Sequence, residues 1–564
     1  MKQGDKLVLD IIDYGSNGEG IAKQDGFVVF VPFSLVGERV KARITYAKKS
    51  FATAVIEEIL VKSPKRIEPP CNRFEKCGGC DILHIAYDEQ LRLKKKAVEN
   101  TFSKNYKHPF VIDECVPSDY VLGYRNKVSL PFGIVNDRVA VGFYREGTHK
   151  IVSITKCFLQ GEWIENIIKA VLEYANDLNL SVYDETTSKG LLKHLVTRKS
   201  GEYYMITMVA TDLLPKKELL INKLNEYVGN NYTLYLNINK GRGNTILNGD
   251  IKLLKGTPQT VKIRDIDLEI NPFSFLQVND NIRDKIYDRV IDIVKEKNAC
   301  AVIDAYAGVG ILGGNLAKSG LRVYNIEIVK EAVQDALKLA ENNDIQDYVT
   351  SICGDSAVIL PDLVKTVKAD YNKLAVHSMN LLTPYFNLIK QGKKKYELRL
   401  NDEKRQAVKV GDTICFNSPE GEQIVVRVKN KFIYQDFEEL FADLGTTDSG
   451  FAENLNPKEA AQTMLDIYSQ ERINQYGALA IEIELINPEL LVLLDPPRKG
   501  CDEKVLNAIK SSKVNSIIYI SCNPATLSRD LELLSSDYDI EFITPYDMFP
   551  NTRHVETLVC LRKQ

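Results

Sequence analysis

No run of eighteen apolar residues occurs anywhere in the chain, so a membrane-spanning helix is not expected. No signal peptide is readable either. The first residues, Met1-Lys2-Gln3-Gly4-Asp5, are polar, and the expected location is cytoplasmic. Net charge is also small. At −3 it argues against an indiscriminate nucleic-acid binder, while leaving room for local basic patches. Cysteine is too sparse for a disulfide scaffold: there are eleven in 564 residues, and their clustering points to metal binding or catalysis. What is present is 44% hydrophobic and 26% charged residues, the balance of a soluble globular protein. The length exceeds what one core can organise, so three or four domains are expected.

The most informative stretch is Ser521–Asp530, reading Ser-Cys-Asn-Pro-Ala-Thr-Leu-Ser-Arg-Asp. It follows Ile517-Ile518-Tyr519-Ile520, an apolar, β-branched run with the length of a buried strand. A helical pattern follows, from Leu527 to Leu534, for which Asn523 suits the N-cap and Pro524 the first position. Cys522 is therefore placed at a strand-to-helix turn, near the positive end of a helix dipole. That field should lower its thiol pKa. In α/β sheets such turns line the ligand crevice. A buried structural cysteine is the plain alternative.

This stretch resembles the signature of the RNA uracil-5-methyltransferases, which modify rRNA and tRNA with S-adenosylmethionine and carry their nucleophile in a Ser-Cys-Asn-Pro run. Other motifs carry the same resemblance. Ala301–Asp304 reads as a strand running into Ala305-Tyr306-Ala307-Gly308-Val309-Gly310, with a helix at about Ile311–Lys318. Gly308–Gly313 also satisfies G-x-G-x-x-G, which by itself fits a dinucleotide site. Asp304 and Tyr306 fit an S-adenosylmethionine site better, with Gly308 and Gly310 letting the cofactor lie against the backbone. Glu327 ends a second strand, where a carboxylate can accept ribose hydroxyls. Asp355 follows a third strand and is expected near the adenine. Phe275-Leu276-Gln277-Val278-Asn279 resembles a family motif whose Gln contacts the cofactor.

Asp495-Pro496-Pro497-Arg498-Lys499-Gly500 ends a fourth strand and points Asp495 to where cofactor and base should meet. Amino-group methyltransferases follow a similar motif with an aromatic residue; Arg498 stands there instead. Arg553-His554-Val555-Glu556-Thr557 leads into a terminal strand, and the resemblance implies that Glu556 is the catalytic base. It further implies that Cys522 adds to C6 of uracil, C5 takes the methyl group, and Glu556 removes the C5 proton, with Asp495 holding the base or the cofactor amine.

Cys71-x5-Cys77-Gly-Gly-Cys80 can aim three thiolates at one centre, and Cys157 is the candidate fourth ligand. Family resemblance implies a [4Fe–4S] cluster, although four thiolates would also accept zinc. Residues 1–62 read as a small OB-like barrel resembling a TRAM domain, with a glycine-rich loop at Gly15–Gly20. Residues 63–270 read as the iron–sulfur and central RNA-binding domain, with Arg125 as a candidate RNA contact.

The methyltransferase core spans 271–371 and 489–564. Between them, 372–488 reads as an insertion resembling an ASCH domain, a small PUA-like barrel associated with RNA. Residues 390–409 within it hold eight Lys/Arg against three Asp/Glu, which fits phosphate contact, and Lys394 and Arg498 are further candidate RNA contacts. The expected architecture is α/β: a Rossmann-like methyltransferase core, an N-terminal β-barrel, an α+β central domain and an inserted barrel. The expected reaction is C5-methylation of a uridine in structured RNA, 23S rRNA foremost and tRNA as the alternative. A nicotinamide oxidoreductase would leave Asp495-Pro496-Pro497 and Cys522 unexplained. A non-catalytic RNA-binding adaptor would not need Glu327, Asp495, Cys522 and Glu556 together.

Overall fold

A computed structural model describes residues 1–564 except 16–17, 25, 374–375, 452–454 and 487–488, and except the side chains of 369–373. Ser16 and Asn17 of the glycine-rich loop, and the domain limit drawn at 488, lie outside the described residues. The chain divides into two units. One comprises Met1–Glu296, Val302–Val358 and Leu491–Gln564; the other comprises Lys297–Ala301 and Ile359–Leu490.

In the first unit, a six-stranded sheet opens the chain, in the order Lys6–Asp10, Arg39–Ala47, Phe51–Val61, Phe27–Val31, Gly20–Gln24, Asp13–Tyr14. Alternation is clear in Arg39–Ala47, whose Val40, Ala42 and Ile44 are buried. The two short strands beside the glycine-rich loop were not readable as strands, because neither has an apolar run. A second, seven-stranded sheet runs from Lys127–Val135 to Asp250–Lys255, and the helices Trp163–Asp177 and Lys217–Val228 pack on its core.

The sheet that carries the chemistry has seven strands: β1 (Ala299–Asp304), β2 (Arg322–Glu327), β3 (Val349–Cys353), β4 (Glu489–Leu494), β5 (Ser516–Ser521), β6 (Tyr538–Tyr546) and β7 (Glu556–Lys563). Their spatial order is β3-β2-β1-β4-β5-β7-β6. The helices are α1 (Ile311–Ala317), α2 (Lys330–Asn342), α3 (Ser356–Lys373), α4 (Glu503–Ser512) and α5 (Pro524–Leu534). Leu490–Leu494 and Ile517–Ile520 are almost fully buried, as central strands covered on both faces must be. Strand order reverses between β1 and β4, and at such a switch point loops leave the carboxyl ends in opposite directions and open a crevice.

Val367–Asp370 belongs to α3. Leu360, Val364 and Val367 are buried at helical spacing. The expected limit between 371 and 372 therefore falls inside a helix.

The second unit is built on a five-stranded sheet, in the order His377–Asn380, Thr413–Asn417, Gln423–Tyr434, Ala478–Ile486, Tyr396–Leu400. Phe386, Ile414, Phe416, Val426 and Ile481 form one core in this unit, and Phe437, Leu440, Phe441 and Ile473 form another.

Candidate active site and cysteine centre

Register places the two central residues. β5 and β7 are antiparallel, with Ser516 opposite Arg562 and Ser521 opposite Thr557. Continuing that pairing by one residue sets Cys522, just past the end of β5, against Glu556 at the head of β7. Cys522 is half-buried, and Glu556 is only 3% exposed. Asn523 caps α5 by accepting from the Ala525 amide at 3.1 Å, and Pro524 takes the first helical position, where no amide donor is needed.

The Cys522 thiol is not lowered, contrary to the expectation from the helix terminus. Burial pushes it up, the Glu556 carboxylate adds to this and Asp495 contributes in the same direction; the guanidinium of Arg498, in hydrogen-bonding contact with the thiol, opposes them. Glu556 is itself raised well above an ordinary glutamate, first by burial and then by Asp495, again against Arg498.

Asp495 is exposed just past the end of β4, and desolvation lifts it to about 7. Tyr287, on the helix Asp280–Glu296, is also pushed up by burial and then by Asp495, a proximity that no sequence motif signalled.

The other half of the crevice edge carries Asp304, Tyr306, Glu327 and Asp355. Asp304 is 4% exposed and accepts from the Tyr306 amide at 3.2 Å. Burial lifts its carboxyl to about 7, with Asp495 and Glu327 adding to the shift. Gly308 and Gly310 have φ of +54° and +77°, left-handed values that favour glycine, and a Cβ at Gly310 would stand 2.7 Å from the Asn325 side chain. Glu327 accepts from the Gly308 amide at 3.0 Å and the Val329 amide at 2.8 Å, so it also fixes the glycine turn. Asp355 is exposed and accepts from the Ala357 amide at 2.9 Å, at the start of α3. Gln277 is half-buried, its carbonyl accepting from the Asn126 side chain at 3.0 Å.

Cys71, Cys77, Cys80 and Cys157 line one cavity, together with Arg125 and apolar walls that include Phe74, Leu83, Phe143 and Ile154. All four are free thiols. Burial pushes the Cys77 thiol to about 11 and raises Cys80 and Cys157, with neighbouring cysteines adding to the shift at Cys77 and Cys80. Among the described residues, no group of three or more His, Cys, Asp or Glu is arranged to hold a single metal ion.

Arg125 donates to the Tyr124 hydroxyl at 3.2 Å and sits among Cys80 and Cys157 rather than on open surface. The cysteine loop is tied to the segment preceding β7. The Asp81 and Ile82 amides donate to the Asn551 carbonyl at 3.1 and 3.2 Å, and Asn551 also exchanges two hydrogen bonds with Gln90. Lys94 is buried and ion-paired with Asp547.

In the second unit, Lys394 is 5% exposed. Its ammonium donates to the Ser449 carbonyl at 2.6 Å and lies 3.6 Å from Glu397, which pairs with Arg399 at 2.8 Å. This placement spends its charge inside the unit rather than on a phosphate-facing surface.

A sheet in the order β3-β2-β1-β4-β5-β7-β6, with acidic residues and a glycine turn at its strand ends, is the core of an α/β methyltransferase. The comparisons narrow the class. Residues 459–564 match the tRNA (Uracil-5-)-methyltransferase family, 379–487 the ASCH domain and 2–56 the TRAM domain. A protein of Clostridium tetani named an uncharacterized RNA methyltransferase is 28% identical over 567 residues, covering 100% of this chain and 97% of its own length. One of Halalkalibacterium halodurans, similarly named, is 28% identical and covers 100% and 98%. The crystal structure of a Pyrococcus abyssi tRNA (uracil-54, C5)-methyltransferase in complex with S-adenosyl-L-homocysteine superposes with a TM-score of 0.62 at 21% identity, covering 98% of this chain and 99% of that one. The chain is thus similar to RNA (uracil-5-)-methyltransferases through its C-terminal segment, with a TRAM-domain match at its start and an ASCH-domain match at 379–487.

Proposed function

We propose that the protein methylates C5 of a uridine in structured RNA, using Cys522 as nucleophile and Glu556 as general base. The observation that carries this is the β5–β7 register, which sets Cys522 against Glu556 with Asp495 and Arg498 beside them. Uracil C5 is a weak nucleophile. Addition of the Cys522 sulfur to C6 breaks the C5–C6 double bond and leaves an enolate whose charge sits at C5 and O4. S-adenosylmethionine, bound in the crevice, supplies the methyl group that C5 acquires. Glu556 then takes the C5 proton, the electron pair re-forms C5–C6, and the sulfur leaves as Cys522 is regenerated.

Gln277, Tyr306, Gly308, Gly310, Glu327, Asp355 and Asp495 would hold that cofactor. The bare glycine backbone supports this, because a Cβ at Gly308 would meet nothing within 4 Å. Ile328 and Val358, 69% and 73% exposed, add apolar surface beside Glu327 and Asp355, of the kind that adenine would cover. Arg498 reaches the thiol and would also face the uridine. The target base must leave its stack to reach Cys522, so a flipped or single-stranded uridine is required.

Cys71, Cys77, Cys80 and Cys157 would hold a [4Fe–4S] cluster. Four thiols around one buried, largely apolar cavity are the donor set that such a cluster takes. Bound there, it would cross-link the two segments that bear these cysteines. The position of Arg125 supports a role at this centre over an RNA contact. We assign rRNA as the substrate. The description of the matched family favours tRNA, which is the second reading. Mapping 5-methyluridine by mass spectrometry in rRNA and tRNA, with and without this protein, tests both. A methyl that disappears from 23S rRNA on removal of the protein supports the first reading, and one that disappears from tRNA supports the second. No change in either RNA contradicts the function.

A further inference from the structure

Helix α5 binds a loop along one face. Asn523, Thr526 and Asp530 are spaced three and four residues apart, so they lie on one side of the helix. All three engage the backbone of the segment that follows Asp495. The Asn523 amide donates to the Arg498 carbonyl at 3.1 Å, and the Thr526 hydroxyl donates to the same oxygen at 3.3 Å. Asp530, with no exposure, accepts from the Cys501 amide at 2.8 Å and from the Tyr519 hydroxyl at 2.7 Å on one oxygen. Its other oxygen is paired with Arg529, which also reaches the Lys499 carbonyl at 3.1 Å.

Gly500 has φ of +80°, and a Cβ there would stand 2.6 Å from the Asp530 carboxylate, so the loop lies directly on the helix. The Tyr306 hydroxyl is in contact with the Cys501 thiol, which brings the glycine turn into the same assembly.

We infer that Asp530 is a positioning residue: it clamps the Asp495–Cys501 loop to the helix that begins beside Cys522, so that Arg498 and Asp495 keep their places around the nucleophile. Arg498 is the cation on the Cys522 thiol, and its own carbonyl is fixed by two side chains of α5. Asp530 holds the far end of the same loop. A buried carboxylate that accepts from a main-chain amide, a tyrosine and an arginine leaves the loop little freedom. Because it is fully buried, it acts only through that loop.

This inference rests on the proposed function for its consequence in catalysis, but not for its test. The experiment is the pH dependence of Cys522 alkylation by iodoacetamide, read on the Cys522 peptide by mass spectrometry, in the wild type, Asp530→Asn and Thr526→Val. The expected result is a reactivity curve displaced to higher pH by half a unit or more in Asp530→Asn, and in the same direction but less in Thr526→Val. Adduct formation on a uridine-containing RNA should fall at least tenfold in Asp530→Asn, while affinity for S-adenosylhomocysteine stays within threefold.

An alkylation curve that coincides with the wild type in both variants overturns the inference. So does an equal loss of alkylation rate, adduct formation and S-adenosylhomocysteine affinity, which is the mark of a general structural role. Should Asp530→Asn lose its cooperative melting transition, Thr526→Val alone decides, by the same displacement or its absence. If the wild type methylates no uridine, the proposed function fails, while the alkylation result still judges the clamp.

Discussion

Asp304 is a carboxyl group kept at a cost, and replacing it with asparagine should reveal that cost. It is 4% exposed, and its pKa is lifted from 3.8 to about 7, chiefly by burial. The sign follows from linkage. With the folded value raised, the folded protein keeps a proton that the unfolded chain has already released. The stability this group contributes is complete below about pH 3.8 and is lost as pH rises through about 7. A shift of about three units at ~1.4 kcal/mol each makes the total loss about 4 kcal/mol, an upper figure because Asp495 and Glu327 share the field.

Asparagine has nearly the same shape, keeps an acceptor for the Tyr306 amide and carries no titrating proton. Asp304→Asn should therefore match the wild type near pH 4 and exceed it progressively up to pH 8. Thermal melts across that range measure the difference, since each kcal/mol moves the melting temperature of a core of this size by roughly 2–4 °C. A difference between variant and wild type that does not change with pH would refute the reasoning.

Glu556→Gln should leave adduct formation intact and slow adduct release by about 10²–10⁴-fold, because a buried base has no solvent substitute; denaturing gels of protein and RNA would show the adduct accumulating. Both Cys522 and Glu556 must act deprotonated and both are raised, so methylation should fall as pH drops, with the loss setting in well above pH 4.5, as a single-turnover pH profile would show. Gly500→Ala forces a Cβ against the buried Asp530 and should destabilise the protein by about 1–3 kcal/mol, read as a lower melting temperature. Cys80→Ser should lower bound iron and increase hydrogen exchange at the Asp81 and Ile82 amides, measured by metal analysis and exchange mass spectrometry. Calorimetry should find binding of S-adenosylhomocysteine and none of NADH.

The features legible in the sequence are those made by neighbours along the chain. Ser521–Asn523 between an apolar run and a helical pattern gives a strand, a turn and a cap, all of which the structure contains. The glycines at 308 and 310 mark a turn that requires positive φ. What the sequence hides depends on residues that meet only after folding. The direction of the Cys522 shift is set by burial and by Glu556 and Asp495, which arrive from other strands. The role of Asp530 needs the 495–501 loop laid on α5, and that of Asn551 needs the cysteine loop brought to the segment before β7. Lys394 looked like surface charge because its neighbours are basic, whereas its partners, Ser449 and Glu397, include one far along the chain.

The central claim is that Cys522 bonds to uracil C6. The most direct test is intact-protein and peptide mass spectrometry after incubation with S-adenosylmethionine and an RNA in which the target uridine is replaced by 5-fluorouridine, whose C5 fluorine cannot leave as a proton does. The predicted result is one RNA adduct, located on the Cys522 peptide and absent from Cys522→Ala, which should still bind RNA and cofactor. An adduct on another cysteine, or methylation of uridine by Cys522→Ala, would contradict it.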